Sequence, residues 1–322
     1  MRHLAYDFET SLLGSSMTDL GRSPTNILIW SVLIIGAVGV STSSIFIRLA
    51  MAAADKQGIA FSLFLAASRL IFASIALMPT WQNVTKAKPT KTSMGYGIAA
   101  GLALALHFSL WISSLSFVSV AVSTSLVTTN PIWVALIGWI WQRKTLSRRT
   151  IIGIFLAIAG SFMITWSKPT EMAINSAPVL GTILALSGSI AASFYLVFGQ
   201  EAQRQGLPTQ SYATIAYTVA AIALLPMPIL WGESYGGHSL EVYAYILAMT
   251  IIAQLIGHTS FNWALRWLPS VTVTLCILCE PIIASILSFF ILKEIPSLSI
   301  IFGGFVILSG VAIAVLKVPQ KL

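Results

Sequence analysis

Residues 119–141 read SVAVSTSLVTTNPIWVALIGWIW, and residues 270–292 read SVTVTLCILCEPIIASILSFFIL. Each is an apolar run, and Glu280 is the one charge between them. About 20 mostly apolar residues cross the ~30 Å hydrocarbon layer of a bilayer, so each run predicts one transmembrane helix. Barrel strands would alternate and be about 10 residues long. Both runs open on Ser-Val and carry an internal proline, Pro131 and Pro281, preceded by a polar residue, Asn130 and Glu280.

Working outward, eight more runs of the same kind appear. The ten predicted spans are 27–52, 59–80, 94–117, 119–141, 150–167, 178–200, 210–231, 242–265, 270–292 and 297–316. Polar punctuation separates them, and Pro178, Pro208 and Pro296 sit near predicted helix starts, where a missing N–H does no harm. Ser23, Pro24 and Thr25 suit the start of the first. Composition agrees: 57% of the 322 residues are hydrophobic and 9% are charged, with a mean hydropathy of +0.87. A soluble domain carries about 25% charged residues. A soluble enzyme, a nucleic-acid reader and a disordered chain are excluded on that ground. The expected class is an all-α integral membrane protein.

The net charge is +8, and the distribution of the cations sets orientation. With the N-terminus inside, the inner segments hold Arg2, Arg22, Lys86, Lys88, Lys91, Arg143, Lys144, Arg148, Arg149, Arg204, Arg266, Lys317 and Lys321, against Lys56, Lys168 and Lys293 outside. That is the positive-inside pattern, with both termini cytoplasmic, and a bacterial plasma membrane is the expected location. Residues 1–26 contain acidic residues and no apolar core with a cleavage site, so they are expected to be a cytoplasmic tail rather than a signal peptide. Cys276 and Cys279 lie within one apolar run. Two thiols fill neither a disulfide framework nor a tetrahedral zinc shell, and no metal or cofactor is expected.

The likeness of the two quoted runs extends along the chain. A shift of 150 places 131–161 on 281–311, pairing Pro131 with Pro281, Gly153 with Gly303 and Gly160 with Gly310. A shift of 151 pairs His107 with His258 and Ser109 with Ser260. The predicted organisation is therefore a five-helix repeat over 27–167 and a second over 178–317. Five is odd, so the second copy would insert upside-down. Inverted repeats of that kind are typical of secondary transporters.

The second half, with Gly257-His258-Thr259-Ser260-Phe261-Asn262-Trp263-Ala264-Leu265-Arg266, then Ser270, Glu280-Pro281, Lys293-Glu294, Gly303-Gly304 and Gly310, resembles the second repeat of the EamA family in the drug/metabolite transporter superfamily. Ser43 to Arg48, Arg69 and Asn130-Pro131 fall where comparable features of the first repeat stand. The resemblance covers roughly residues 27–317. It implies a ten-helix carrier with a central cavity that moves small metabolites, often outward, and it leaves the substrate open.

Residues that cost energy in a bilayer are the candidates for function. Glu280 is the one acidic residue inside a predicted span, ~15 Å deep at 1.5 Å per residue. A carboxylate there costs ~2.5–3.5 kcal/mol unless paired, hydrated or protonated. Two readings stand: a substrate-binding or proton-coupling group, and a packing residue bonded to backbone. Arg69 lies at a similar depth and should face a polar cavity or a partner, with Glu280 and anionic substrate groups as the options. Arg48, nearer a span end, is expected to snorkel. His107 and His258, at aligned places, are either hydrogen-bonding or proton-relay groups. Asn262 and Gln254 share the predicted face of His258. Asn130 is the neutral counterpart of Glu280. Trp111 and Tyr195 could stack on a substrate or simply pack. Pro131 and Pro281 each free a carbonyl four residues back and predict a pivot or cavity wall in each half.

The expected function is a secondary transporter, not an enzyme, exporting an amino acid or related solute by alternating access, with proton coupling resting on Glu280 alone. Spans 3, 4, 8 and 9 are the expected walls and spans 1 and 6 the expected gates. The expected partners are the solute, the lipid bilayer and protons; Gly97 and Gly101, Gly153 and Gly160, and Gly303, Gly304 and Gly310 are expected to allow tight packing within the bundle, with a homodimer face as the alternative, so both a monomer and a homodimer fit. The rival is an integral-membrane enzyme or a non-transporting protein of the same fold, which would need converging catalytic groups that the spans do not supply. No nucleotide-binding Gly-Lys-Ser/Thr loop is present, so ATP-driven transport by this chain alone is excluded.

Overall fold

The computed structural model describes residues 24–141, 143, 145–165, 177–293 and 298–315, and among these every regular element is helical. In chain order the long helices are α1 (Asn26–Ala54), α2 (Ile59–Ala76), α3 (Lys91–Ser114), α4 (Val120–Ile140), α5 (Arg148–Thr165), α6 (Pro178–Arg204), α7 (Thr209–Leu230), α8 (Leu240–Ala264), α9 (Ser270–Ile291) and α10 (Leu298–Val315). Among the described residues, eight of them, all but α5 and α10, are long and apolar enough to cross a membrane. The predicted tail up to residue 23, Pro296, and the C-terminal cations Lys317 and Lys321 lie outside the described residues.

Local chemistry sets the helix ends. The Thr25 hydroxyl accepts from Leu28 N at 3.3 Å, Thr90 from Ser93 N at 3.1 Å, and Ser119 from Val122 N at 3.4 Å. Each replaces an intrahelical partner that a first-turn amide lacks. α1 closes on Asp55 in the left-handed region (φ 49°). Boundaries differ from the sequence expectation where such caps intervene. α3 starts at Lys91 behind the Thr90 cap rather than at 94, and the stretch read as a polar connection holds a short helix, Trp81–Ala87.

Large apolar side chains face outward, including Leu106, Ile222, Phe290 and Phe305, the last 75% exposed. Small polar ones such as Ser44, Ser62, Ser123, Thr124 and Ser193 are buried. This apolar-out, polar-in order suits lipid, where helix contacts rely on small and hydrogen-bonding residues. The chain is a multi-pass integral membrane protein.

The helices pair across the two halves rather than within them. α3 lies along α6, α1 along α8, α2 along α7, α4 across α9, and α5 along α10. Exchanging α1–α5 for α6–α10 turns the α3–α6 pair into α8–α1 and leaves the other three pairs unchanged. The first segment of α4 meets the second segment of α9, and the reverse, so these two helices run antiparallel. Glycines permit the closest crossings. A Cβ on Gly101 would lie 2.7 Å from the Ala216 carbonyl oxygen, and one on Gly39 would lie 2.9 Å from that of Ile252. The Gly97/Gly101 face, read as a possible dimer surface, is thus spent on α7 within the chain.

Candidate functional site

Two helices break halfway. α4 stops at Val127 and resumes at Asn130, and α9 stops at Ile277 and resumes at Glu280. The cause is the proline one residue further on. Pro131 and Pro281 have no N–H for the carbonyls of Val127 and Ile277. At the first break threonine hydroxyls fold back on the preceding turn: Thr128 Oγ1 donates to Thr124 O at 2.8 Å and Thr129 Oγ1 to Leu126 O at 2.7 Å. α8 is also irregular, because Met249–His258 form a π-helix. Such widened turns recur at functional sites.

The breaks and the π-turn meet at one cavity of about 40 Å³. Val127, Thr128 and Asn130 line it from α4, and Ile277 and Glu280 from α9. His107 and Trp111 come from α3, Tyr195 from α6 and His258 from α8, with Val40 and Ser43 of α1 completing the wall. The spans expected as walls, 3, 4, 8 and 9, all contribute, and so do α1 and α6, read from sequence as gates. The volume holds a few waters and no metabolite. A metabolite would fit there only if these helices separated.

Each predicted residue has a definite place. His107 Nδ1 lies 3.0 Å from Gly188 O, and its ring stacks on Trp111 with an interplanar angle of 2°. His258 meets the Phe108 ring edge-on, with centroids 5.3 Å apart. Tyr195 donates its hydroxyl to Asn262 Oδ1 at 2.8 Å, and Asn262 Nδ2 donates to Tyr217 at 3.3 Å. Asn262 therefore stands one layer behind the wall and sets the Tyr195 phenol. Asn130 Oδ1 and Trp111 Nε1 are buried without a partner, whereas the Asn130 carbonyl accepts from Ser193 at 3.3 Å. Glu280 is 6% exposed. Among the described residues no side chain hydrogen-bonds or ion-pairs with its carboxylate.

Of the options open to Arg69, the structure shows a protein partner: among the described residues it does not line the cavity and forms no ion pair with Glu280. It is fully buried behind the wall, where Nη1 donates to Ser43 Oγ at 2.9 Å and the guanidinium lies 4.1 Å from the Phe108 ring centroid. Its Nε and Nη2 have no hydrogen-bond partner. Arg48 Nη2 donates to Val118 O at 2.8 Å, tying α1 to the turn between α3 and α4. Ser43 entered the sequence reading only through the family resemblance, and Thr128 was not singled out. The signal for Thr128 was its place directly before Thr129-Asn130-Pro131, a polar step into a helix break.

The end of the bundle bearing Lys56 is tightly closed. Gly58 N donates to Ser116 Oγ at 3.0 Å, which also lies 3.2 Å from Ser62 Oγ. Lys56 Nζ bridges to Glu233 at 2.8 Å, joining the α1–α2 and α7–α8 turns. Tyr235 in the latter turn is half-buried against Phe64, and burial pushes its phenol up to about 12, so it stays a neutral donor to Leu225 O.

The EamA-like transporter family model matches residues 27–166 and 179–316. An uncharacterized transporter of Archaeoglobus fulgidus is 24% identical over 280 residues, covering 86% of this chain and 94% of the relative. The Bacillus subtilis uncharacterized transporter YyaM is 19% identical over 243 residues, covering 74% and 79%. A solved structure, described only as the crystal structure of a protein, superposes with a TM-score of 0.66 at 17% identity, covering 89% of this chain and 97% of that one. At that identity it speaks for the fold alone.

Proposed function

The chain belongs to the EamA-like transporter family, and on that premise we propose that it is a secondary carrier for a small metabolite, an amino acid or related solute, exported by alternating access. Ten spans, in two inverted five-helix repeats with both termini cytoplasmic, form the carrier. α5 and α10 are its remaining two crossings. The two-fold exchange of helix pairs and the antiparallel α4–α9 crossing support this arrangement.

The observation that carries the reading is the meeting of two proline-broken helices at a cavity holding a carboxylate with no side-chain hydrogen bond or ion pair among the described residues. Irregular backbone at membrane depth is tolerated where it lines a cavity, and paired interruptions in two halves mark transporter sites. Glu280 is the proton-coupling group. His107, His258, Asn130, Trp111 and Tyr195 contact the solute, while Arg69 and Asn262 hold the wall in place through Ser43 and Tyr195. Pro131 and Pro281 are the pivots.

The test is flux. Purified protein in liposomes loaded with a metabolite mixture should release a subset of solutes saturably, faster under an opposing proton gradient. Absence of saturable release for every solute, or covalent conversion of one of them, would overturn the proposal.

A further inference from the structure

A second cavity, of about 210 Å³, opens where α6 ends and α8 turns into α9. It shares no lining residue with the central one. Gln200, Gln203 and Arg204 border it from α6, and Arg266 and Trp267 from the turn. Gln200 is 3% exposed, and its Nε2 donates to the carbonyls of Leu265 at 3.3 Å and Leu268 at 2.9 Å. Those two acceptors fix the amide, since a flipped one would set oxygen against oxygen. Among the described residues its Oε1 is therefore left buried without a partner, and so is Trp267 Nε1. Arg266 lies 5.5 Å from the Trp267 ring centroid, and Arg204 stands 3.9 Å from Glu201. The rim thus carries two guanidinium groups against one carboxylate. Guanidinium matches phosphate in geometry and is always charged. Basic pockets between membrane helices at one bilayer surface suit lipid head groups.

We propose that this cavity binds a phosphate ester bearing a hydroxyl. The phosphate oxygens accept from Arg204, Arg266 and Trp267 Nε1, and the ligand hydroxyl donates to Gln200 Oε1. Two sources carry that chemistry: a glycerol-type phospholipid head group from the surrounding bilayer, and a free phosphate ester.

The purified full chain in detergent tests this by native mass spectrometry with phosphatidylglycerol against phosphatidylcholine, and by thermal shift with glycerol 1-phosphate. Charge-assisted hydrogen bonds of this kind support about a tenfold preference for phosphatidylglycerol. In Arg204→Gln/Arg266→Gln the preference should fall to parity. Lys86→Gln/Lys91→Gln, which removes two exposed cations from the same end, should keep it. If the double variant does not fold, Arg266→Gln alone, at an exposed position, makes the same comparison. Retention of lipid identifies the bilayer as the source. A thermal shift with glycerol 1-phosphate alone, lost in the arginine variant, identifies a free ester. No binding of either probe, or equal loss in the lysine variant, overturns the proposal.

Discussion

Arg69 is fully buried, yet two of its three side-chain nitrogens have no hydrogen-bond partner among the described residues. Stability alone gives little reason for such a residue, because apolar replacement of buried charge is often neutral or stabilising. Its contacts point to positioning: it holds the cavity residue Ser43 and lies on Phe108, whose ring meets His258. Arg69→Met should leave the thermal midpoint unchanged or raised while lowering solute flux at least about tenfold, the worth of one lost charged hydrogen bond. Equal losses of midpoint and flux would mark Arg69 as a packing residue. Glu280 answers to a different measurement. A coupling carboxylate must lose and regain its proton in each cycle, and glutamine fixes the neutral form. Glu280→Gln should therefore abolish the dependence of flux on the proton gradient while solute exchange without a gradient persists. An unchanged pH profile would remove Glu280 from the coupling step. Span depth computed from sequence placed both residues near mid-bilayer. Depth says nothing of azimuth around the helix, so it did not show that Glu280 faces the cavity while Arg69 stands behind it.

At the scale of elements, the proline breaks and the glycine crossings make opposite demands. A proline inside a helix costs about 3 kcal/mol, so α4 and α9 keep their breaks against local stability. Pro281→Ala would return a donor to the Ile277 carbonyl and join the two segments of α9. Flux should fall several-fold with the thermal midpoint held or raised, whereas loss of both would show that the break serves packing. At the α1–α8 crossing the constraint is steric. A Cβ on Gly257 would lie 2.9 Å from the Val40 backbone nitrogen, which cannot rotate away. Gly257→Ala should destabilise the protein by about 1–3 kcal/mol. Gly95→Ala, where nothing lies within 4 Å, should be neutral or mildly stabilising. Similar midpoints for the two variants would show that the helices separate freely. The helix breaks were legible because proline acts through its own backbone. The Asn26–Ala54 helix and its neighbours were legible because lipid forces every buried amide into a helix. The π-turn at Met249–His258 was not, since nothing in its local composition demands a widened turn. The crossing partners of Gly39 and Gly257 were not either, because they lie more than 200 residues apart in the chain.

Across the whole molecule the decisive fact is that each half buries its polar residues against the other. α3 packs on α6, α1 on α8 and α5 on α10. Asn262 of the second half satisfies Tyr195 of the same half, but Ser189 meets Thr129, Ser74 meets Thr218 and Thr80 meets Thr214 across the halves. Removing one half would leave those hydroxyls, and the breaks of α4 or α9, facing lipid with no water to satisfy them. Unsatisfied polar groups there cost several kcal/mol each. The repeat visible in the sequence, matched once in each half by the family model, is therefore expected not to fold alone. A chain cut between residues 165 and 177 should give two fragments that are each degraded when expressed alone and that copurify and transport when expressed together. A first half that is stable by itself, monodisperse and helical, would mean that packing within the repeat suffices. The two halves could then move as separate rigid bodies, as in the rocking of one repeat against the other.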